Sequence, residues 1–292
     1  MKYKSLLFAF SVFVFLGLEK PGLPDSVGTI NTEPYQLVWS DEFDTPGAPD
    51  SKKWQYETGF IRNQELQYYT QSPKNVRVEK GILILETRKE KHKNPHFTSK
   101  RDTRWKRNRK YANYTAGSIE TKGHASWKYG KFEVKAKLPA GRGLWPAIWM
   151  LGENIEQVGW PRCGEIDIME NVGFDPKKIH GTIHTDKYNH IKKTGKGDHT
   201  YLKNPATNFH TYSVIWTPKI IEFYVDETKY HEFINLGQTE AEWPFDQNFF
   251  LKLNVAVGGA WGGQQGVDDT VFPQQMEIDY VRVYQKEKAM NE

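Results

Sequence analysis

Residues 160–171 read Trp-Pro-Arg-Cys-Gly-Glu-Ile-Asp-Ile-Met-Glu-Asn, and this stretch carries the clearest pattern in the chain. Alternation along an extended strand places Glu165 and Asp167 on one face of a sheet and the two isoleucines on the other. Strict alternation would then turn Glu170 away from the other two acids. One extra residue, a β-bulge around Met169, returns Glu170 to the acidic face. The stretch therefore predicts a bulged strand with three carboxylates on one face.

Short runs of alternating residues, rich in β-branched and aromatic side chains, continue on both sides of this stretch. Such runs, bounded by Gly, Pro, Asn and Asp, are typical of β-strands. They lie at 81–87, 131–138, 165–170, 211–216, 220–225, 249–257 and 276–284. The sequence after the N-terminal segment offers no convincing capped helix and no repeat of fixed period. Many strands without intervening helices predict an antiparallel sandwich or barrel, a fold that can fill about 250 residues as one domain.

The composition restricts the class of protein further. Aromatic residues make up 14% of the 292 residues, with Trp 10, Tyr 15 and Phe 16. Trp and Tyr suit surfaces that are apolar on one side and wet on the other, so the excess favours a binding surface. A mean hydropathy of −0.72 excludes a multispanning membrane protein. The single cysteine, Cys163, excludes an intramolecular disulfide framework and a multi-cysteine metal site.

The formal net charge of +4 averages over two very different parts of the chain. Residues 88–110 hold eleven Lys or Arg against Glu90 and Asp102, whereas the remaining residues hold 29 basic and 34 acidic side chains. A basic segment is thus inserted in a mildly acidic protein. We interpret residues 88–110 as a solvated loop, with an anion or nucleic-acid patch as the alternative.

The N-terminus has the pattern of a secretion signal. Lys2 and Lys4 precede a mostly apolar run at 6–18, which is shorter than the roughly 20 residues of a membrane-spanning helix. We therefore predict a signal peptide at 1–20 and a proline-containing linker at 21–34. A catalytic domain at 35–286 and a C-terminal tail at 287–292 would follow. The signal predicts a secreted, periplasmic or cell-surface protein.

Three carboxylates on one strand face repel one another. A purely structural protein would gain little stability from such an arrangement. A solvated acidic face is one interpretation, and a site for a divalent cation is another. Glycoside hydrolysis is the third, because it needs one ionised carboxylate and one that keeps its proton, and neighbouring acids push their pKa values apart. Retaining enzymes hold the two carboxyl groups about 5–5.5 Å apart and inverting enzymes hold them further apart. Strand geometry alone leaves that separation open.

The motif and its flanks resemble one known family. Glu-Ile-Asp-Ile-Met-Glu at 165–170 is similar to the bulged Glu-x-Asp-x-x-Glu signature of glycoside hydrolase family 16. The stretches Gly-Arg-Gly-Leu-Trp-Pro-Ala-Ile-Trp-Met-Leu-Gly at 141–152, Asn-Val-Ala-Val-Gly-Gly at 254–259 and Met-Glu-Ile-Asp-Tyr-Val-Arg-Val-Tyr at 276–284 agree as well. The resemblance covers about residues 35–285. It is greatest to the laminarinases, which are bacterial endo-β-1,3-glucanases.

The resemblance implies an all-β fold, a jelly-roll β-sandwich of two antiparallel sheets with a substrate cleft on the concave face. By position, Glu165 becomes the nucleophile, Glu170 the acid/base and Asp167 the assisting carboxylate. The implied activity is retaining endo-hydrolysis of β-1,3-glucosidic bonds in laminarin-type glucans. A mixed-linkage β-1,3-1,4-glucanase, an algal galactan hydrolase and a non-catalytic glucan-binding sandwich are the alternatives. The intact acids count against the last of these.

Several further residues are candidates for contact with the substrate. Trp145 and Trp149 share parity along one strand, and we predict a stacking platform for sugar rings rather than core packing. The resemblance places Asn63 at a substrate-contacting asparagine, and His184 follows the catalytic strand closely enough to contact the leaving-group side or to be merely structural. The predicted substrate-binding set is Asn63, Trp145, Trp149, Trp160, His184 and Trp261.

The resemblance also implies what else the protein binds. It implies no catalytic cofactor but a structural Ca²⁺ away from the cleft, at positions matching Glu42, Gly81 and Asp279. We expect a polysaccharide or oligosaccharide β-glucan as partner, no nucleic acid, no membrane contact beyond the signal segment, and a monomer. One departure from the family pattern is Ser118, which stands where an arginine is usual.

Overall fold

The computed structural model describes residues 34–287. The predicted signal peptide at 1–20, the linker 21–34 except Pro34 and the tail 287–292 except Glu287 lie outside these residues. The first strand begins at Tyr35 and the last ends at Lys286, close to the bounds predicted for the catalytic domain. Within residues 34–287, no helix has the length and apolar character needed to cross a membrane.

The described chain is built almost entirely of strands. In chain order they are β1 Tyr35–Asp41, β2 Gln55–Tyr56, β3 Gln67–Tyr69, β4 Val76–Glu79, β5 Ile82–Thr87, β6 His92–Lys93, β7 Tyr111–Ala112, β8 Tyr114–Ala116, β9 Ser118–Glu120, β10 Gly130–Lys137, β11 Leu144–Gly152, β12 Glu165–Glu170, β13 Lys178–His184, β14 Lys196–Tyr201, β15 His210–Trp216, β16 Ile220–Val225, β17 Thr228–Ile234, β18 Phe249–Val257 and β19 Gln274–Lys286. The described helix, α1, is the single turn Ile155–Val158. Each of the seven predicted strands is present within two residues of its predicted bounds.

Two large antiparallel sheets contain most of these strands. The sheet that we call the back sheet runs β17-β16-β15-β10-β19-β5-β4, with β1 also paired to β19. The front sheet runs β14-β13-β12-β11-β18-β9-β2. Hairpin neighbours such as β12 and β13 alternate with neighbours that are distant in the chain, since β11 also pairs with β18 and β10 pairs with β15 and β19. This architecture confirms the predicted jelly-roll sandwich.

The core fills the space between the two sheets. Strand β10 shows the principle, because Phe132, Val134 and Ala136 are buried in it while the lysines and Glu133 between them point away. Ile166 and Ile168 of β12 enter the same core from the front sheet and are fully buried. Burying each large apolar side chain contributes about 1.5–3 kcal/mol, so this face holds the acidic strand in place. The front sheet's other face is left for the polar residues.

The basic segment has more structure than the prediction of a solvated loop allowed. Its lysines and most of its arginines are exposed, as that interpretation requires. However, β6 pairs with β7 at its base, and Asn94 is buried. The amide of Asn94 donates to the backbone oxygens of Lys106, at 2.9 Å, and Arg109, at 2.8 Å. The segment is therefore folded on itself, with a charged exterior.

Candidate active site

The predicted bulge is present in β12. Opposite β11, Ile148 pairs with Met169 and Trp149 pairs with Asp167, so Ile168 is the extra residue. On the other side, the register with β13 shifts between Asp167 and Glu170. Ile166, Ile168 and Met169 all enter the core. The side chains of the three acids therefore lie on the outer face of the front sheet.

The carboxylates of Glu165, Asp167 and Glu170 form one electrostatic unit. Burial raises the pKa of all three, and their mutual repulsion raises each of them further. Asp167 is 3% exposed and lies between the two glutamates in the sequence, and burial and the charge of Glu170 raise its pKa well above the usual value. The cluster therefore keeps at least one proton near neutral pH, and its titration belongs to the group rather than to single residues.

Two tryptophans each donate a hydrogen bond to a different glutamate. The indole Nε1 of Trp160 donates to Oε2 of Glu165 at 2.9 Å. The indole Nε1 of Trp145 donates to Oε1 of Glu170 at 3.0 Å. Each bond favours the ionised carboxylate, fixes its orientation and engages one of the two oxygens of each glutamate. These predicted sugar-binding tryptophans thus also orient the two predicted catalytic glutamates.

His184 lies against the acids. Its Nε2 is 3.3 Å from Oδ2 of Asp167 and 3.7 Å from Oε1 of Glu165. Among residues 34–287, these three side chains form the one group of His, Cys and acidic residues spaced for a metal ion, with their ligand atoms within 4.8 Å of one another. The geometry supports an electrostatic role for His184 beside the acids, and its predicted contact with the leaving-group side stays a prediction.

Trp261 lies at the same end of the cluster as Glu170. Its ring packs edge-on against Trp145, with the centroids 5.5 Å apart, and against His180 at 5.0 Å. Trp261 belongs to a glycine-rich stretch at 258–266 that follows β18. The structure thus brings Trp261, Trp145 and Glu170 together, as the predicted cleft requires.

Trp149 shares a face with Trp145, as its parity predicted, but its ring is not open to solvent. It is 8% exposed, and the guanidinium of Arg62 and the ammonium of Lys252 lie 4.9 and 5.1 Å from its ring centroid. Its Nε1 donates to Asn254 at 2.8 Å. The predicted sugar-stacking role of Trp149 is therefore corrected, because charged side chains cover its ring. The ring lies beneath the surface of the predicted cleft and supports it.

Asn63 lies on a loop that adopts an uncommon backbone conformation. Both Asn63 and Gln64 have φ of 52°, in the left-handed region that side chains other than glycine rarely adopt. The Nδ2 of Asn63 is 3.5 Å from Glu65, and the loop pairs with Gly258 through Glu65. Asn63 lines a cavity of about 780 Å³ together with part of the glycine-rich stretch. The structure thus places it at the edge of the cleft.

A buried charge network below this loop escaped the sequence analysis. Arg62 donates from Nη1 to both oxygens of Glu57, at 3.2 and 3.0 Å, and Lys252 donates to the same carboxylate at 2.9 Å. Ser118 donates to Glu57 at 2.6 Å, and Lys252 also pairs with Glu120. Burial raises the pKa of Glu57, but the charges of Arg62 and Lys252 outweigh it and lower that pKa to about 2.

Ser118, the departure from the family pattern, belongs to this network. It donates to Glu57, which also has two cationic partners from elsewhere in the chain, Arg62 and Lys252. One signal in the sequence could have indicated the network, since Lys252 is a lone charge within the apolar strand 249–257. A charge in such a strand requires a buried partner.

The residues predicted to hold calcium lie along one segment of the back sheet. Asp41 pairs with Val281 of β19 and Leu83 pairs with Ile278, which brings Glu42 and Gly81 near Asp279. The carboxylate of Glu42 is held by Arg282 at 2.9 and 2.8 Å, and that of Asp279 by Lys135 at 2.8 Å. Both side chains therefore have cationic partners, with both oxygens of Glu42 engaged by Arg282 and Oδ2 of Asp279 engaged by Lys135.

Comparison with known proteins agrees with this geometry. Residues 63–282 match the family model described as Glycosyl hydrolases family 16. A β-glucanase of Rhodothermus marinus is 48% identical over 86% of this chain and 85% of its own length.

Solved structures give the same result. The laminarinase from Rhodothermus marinus is 45% identical, with a TM-score of 0.78 over 88% of this chain and 100% of that one. A mutant of a non-specific endo-β-1,3(4)-glucanase, which was co-crystallised with 1,3-β-D-cellotriosyl-glucose and presents 1,3-β-D-cellobiosyl-glucose at its active site, is 50% identical. Its TM-score is 0.78 over 87% of this chain and 96% of that one.

Proposed function

Because this chain belongs to glycosyl hydrolase family 16, we propose that it is a retaining endo-glucanase that cleaves β-1,3-glucosidic bonds of laminarin-type glucans. The observation that carries the proposal is the arrangement of Glu165 and Glu170, each oriented by its own indole donor on either side of Asp167. Two carboxyl groups with separate orienting partners are what a double displacement needs. The glucanases similar to this chain support the choice of substrate.

In the first step, the carboxylate of Glu165 attacks the anomeric carbon while Glu170 gives a proton to the departing glycosidic oxygen. Trp160 engages one oxygen of Glu165, so the other is the attacking atom. In the same way, Trp145 engages one oxygen of Glu170, and the other carries the transferred proton. In the second step, Glu170 removes a proton from water, which releases the sugar from Glu165 with its configuration retained.

Asp167 acts in this scheme by keeping a proton. Its pKa is raised well above the usual value by burial and by the charge of Glu170. A protonated Asp167 adds no negative charge beside Glu165, so Glu165 ionises more readily than it would next to a charged Asp167. His184 lies within 4 Å of both carboxyl groups and lowers the pKa of Glu165. Asp167 therefore assists the nucleophile.

An assay of substrate choice tests the proposal. Wild-type protein is incubated with laminarin, a mixed-linkage β-1,3-1,4-glucan and agar-type galactan, and Glu165→Gln is compared with the exposed control Glu153→Gln. We expect cleavage of laminarin, loss of activity by at least about 10³-fold in Glu165→Gln, and normal activity in the control. Inactivity of the wild type on all three substrates, or normal turnover by Glu165→Gln, would overturn the proposal. Preference for the mixed-linkage glucan would favour the second candidate.

The stereochemistry is tested separately. NMR of the first product released from laminarin should show the β-anomer at the new reducing end. An initial α-anomer would reject Glu165 as a nucleophile and favour direct attack by water.

We also propose that a calcium ion binds near Glu42, Gly81 and Asp279. The convergence of β1, the β4–β5 turn and β19 supports it, because an ion there would join distant parts of the back sheet. Since Arg282 engages both carboxylate oxygens of Glu42, the proposed ligands are Oδ1 of Asp279 and backbone carbonyl oxygens. Removing calcium with a chelator should lower the melting temperature and adding it back should restore the original value. An unchanged melting temperature in both cases would reject the site.

The remaining proposals concern processing and assembly. We propose that residues 1–20 direct export, that 21–34 form a linker to a catalytic domain at 35–286, and that the exported protein is a monomer without nucleic-acid or membrane partners. The apolar run at 6–18 supports export. Terminal sequencing of protein recovered outside the cytoplasm and its mass in solution test these points. A full-length cytoplasmic protein or a stable dimer would contradict them.

A further inference from the structure

The basic segment 88–110 is fastened to the loop that carries Asn63. The guanidinium of Arg109 donates to the backbone oxygens of Glu65, at 2.7 Å, and Gln64, at 3.3 Å. It also lies 5.3 Å from the ring centroid of Phe60, which is buried beside the loop. The guanidinium of Arg109 is therefore paired with backbone oxygens of the protein itself. These contacts hold the segment at the edge of the cleft.

Trp105 is the residue that this attachment positions. Its ring contacts Phe60 at 6.0 Å between centroids, and the guanidinium of Arg109 lies 5.2 Å from its own centroid. The side chain is only half-buried. A large aromatic ring that is held in place and partly exposed to solvent suits contact with a ligand that has an apolar face.

The open part of Trp105 borders the cavity of about 780 Å³. This volume lies within the range of roughly 300–1,000 Å³ found for small-molecule sites. The lining consists of Asn63, Gln64, Leu66, Trp105, Gly258, Gly259, Ala260, Gly263, Gly266 and Val267. One aromatic ring, aliphatic groups and two side-chain amides match the apolar face and the hydroxyl edge of a pyranose ring.

The same lining distinguishes a neutral ligand from an anionic one. None of these ten residues carries a charge, although eleven basic residues lie in the segment that supplies Trp105. An anionic sugar would find no charged partner among these ten residues. The chemistry therefore fits an unsubstituted glycosyl unit.

The glycine-rich stretch connects the lining of the cavity with the residues around Glu170. Ala260 lines the cavity, and the next residue, Trp261, packs against Trp145, which donates to Glu170. A chain bound across the acids can thus extend along this stretch to Trp105.

We propose that Trp105 is a specificity-determining residue, which forms with Asn63 and the stretch 258–266 a subsite for a neutral glycosyl unit remote from the scissile bond. This inference rests on the proposed function, because its ligand is part of the same glucan chain. The subsite favours long substrates over short ones, since only a long chain reaches from the acids to Trp105. Residues 88–110 thereby select chain length.

The test compares Trp105→Phe with Trp105→Leu on laminarin and on a laminari-trisaccharide. Both variants keep apolar bulk against Phe60, but only Phe keeps a flat ring. We expect Trp105→Leu to lower kcat/KM on laminarin about five- to tenfold, mostly through KM, with little change on the trisaccharide. Trp105→Phe should keep most of the activity on laminarin. Tyr111→Ala, at an exposed aromatic residue that directly follows the segment and does not line the cavity, is the control and should behave as wild type.

The possible results distinguish a substrate-binding role of Trp105 from a purely structural one. Equal losses on both substrates in Trp105→Leu, or equal behaviour of the Leu and Phe variants, would show that Trp105 only supports the fold and would overturn the inference. Wild-type kinetics in Trp105→Leu would overturn it as well. A wild-type protein that cleaves no β-glucan would instead reject the proposed function, so the two failures are distinguishable.

Discussion

The indole Nε1 of Trp160 donates to Oε2 of Glu165 across 2.9 Å, which ties a predicted sugar-binding ring to the proposed nucleophile. The bond lowers the pKa of Glu165 against the larger effect of burial, which raises it. Trp160 therefore orients Glu165 and favours its ionised form, in addition to its predicted contact with the sugar. A variant that removes the indole N–H but keeps an aromatic ring separates the two roles.

Trp160→Phe should raise the pKa of Glu165, because the ionised carboxylate loses a donor. Glu165 must be ionised to attack, so the acidic limb of the kcat/KM profile on laminarin should move to higher pH. A hydrogen bond to a charged group contributes about 1.5–3 kcal/mol, which corresponds to a roughly 10- to 100-fold loss of kcat/KM. A pH–rate profile with an unmoved acidic limb would contradict the assignment.

Trp145→Phe is the matched change at the other glutamate. It removes the donor to Oε1 of Glu170 and raises the pKa of that residue. Glu170 must be protonated in the first step, so the alkaline limb should move to higher pH. The two variants therefore shift opposite limbs of one profile. If both shifted the same limb, the division of roles between Glu165 and Glu170 would be wrong.

Asp167→Asn and Asp167→Ala together test whether Asp167 works in its protonated form. An amide resembles the neutral acid and still donates a hydrogen bond, whereas alanine leaves a cavity beside Glu165. We expect Asp167→Asn to keep at least about a tenth of wild-type kcat and Asp167→Ala to lose about 10²-fold or more. Equal and large losses would indicate that the negative charge of Asp167 is required.

The parts of the site that could be predicted are local in the sequence. The spacing of Glu165, Asp167 and Glu170 predicted the bulge, because the core has to bury the residues between them and the acids cannot enter it. The strands followed from alternation for the same reason. These inferences need only a few consecutive residues.

The parts that could not be predicted depend on contacts between distant residues. Trp149 has the parity of an open platform, and only the approach of Arg62 and Lys252 closes its ring. Arg109 likewise could not be distinguished from the other basic residues of 88–110, because its partners lie 44 and 45 residues earlier in the chain. Pairings of this kind follow from the fold and not from local pattern.

Arg62→Ala tests the network below the Asn63 loop. It leaves Glu57 buried with Lys252 as its one remaining cation among its described partners. Removing one partner of a buried pair costs about 3–5 kcal/mol, and the retained Lys252 favours the lower value. We expect the melting temperature to fall by about 6–10 °C and KM for laminarin to rise, because Arg62 precedes Asn63. Ser118→Ala removes a single hydrogen bond to Glu57 and should cost only about 1 kcal/mol.

The same network predicts how stability depends on pH. The pKa of Glu57 is lowered from 4.5 to about 2 in the folded protein. A depressed carboxyl pKa stabilises the folded state fully above the unfolded value, and this contribution is lost as pH falls from about 4.5 toward about 2. Urea unfolding across this range should show a steeper loss of stability for wild type than for Arg62→Ala, in which the pKa of Glu57 is less depressed. Parallel curves would mean that Arg62 does not hold Glu57 in its ionised form. Adding Ser118→Arg to Arg62→Ala supplies a cation from the residue that already contacts Glu57, and it should restore part of the wild-type slope.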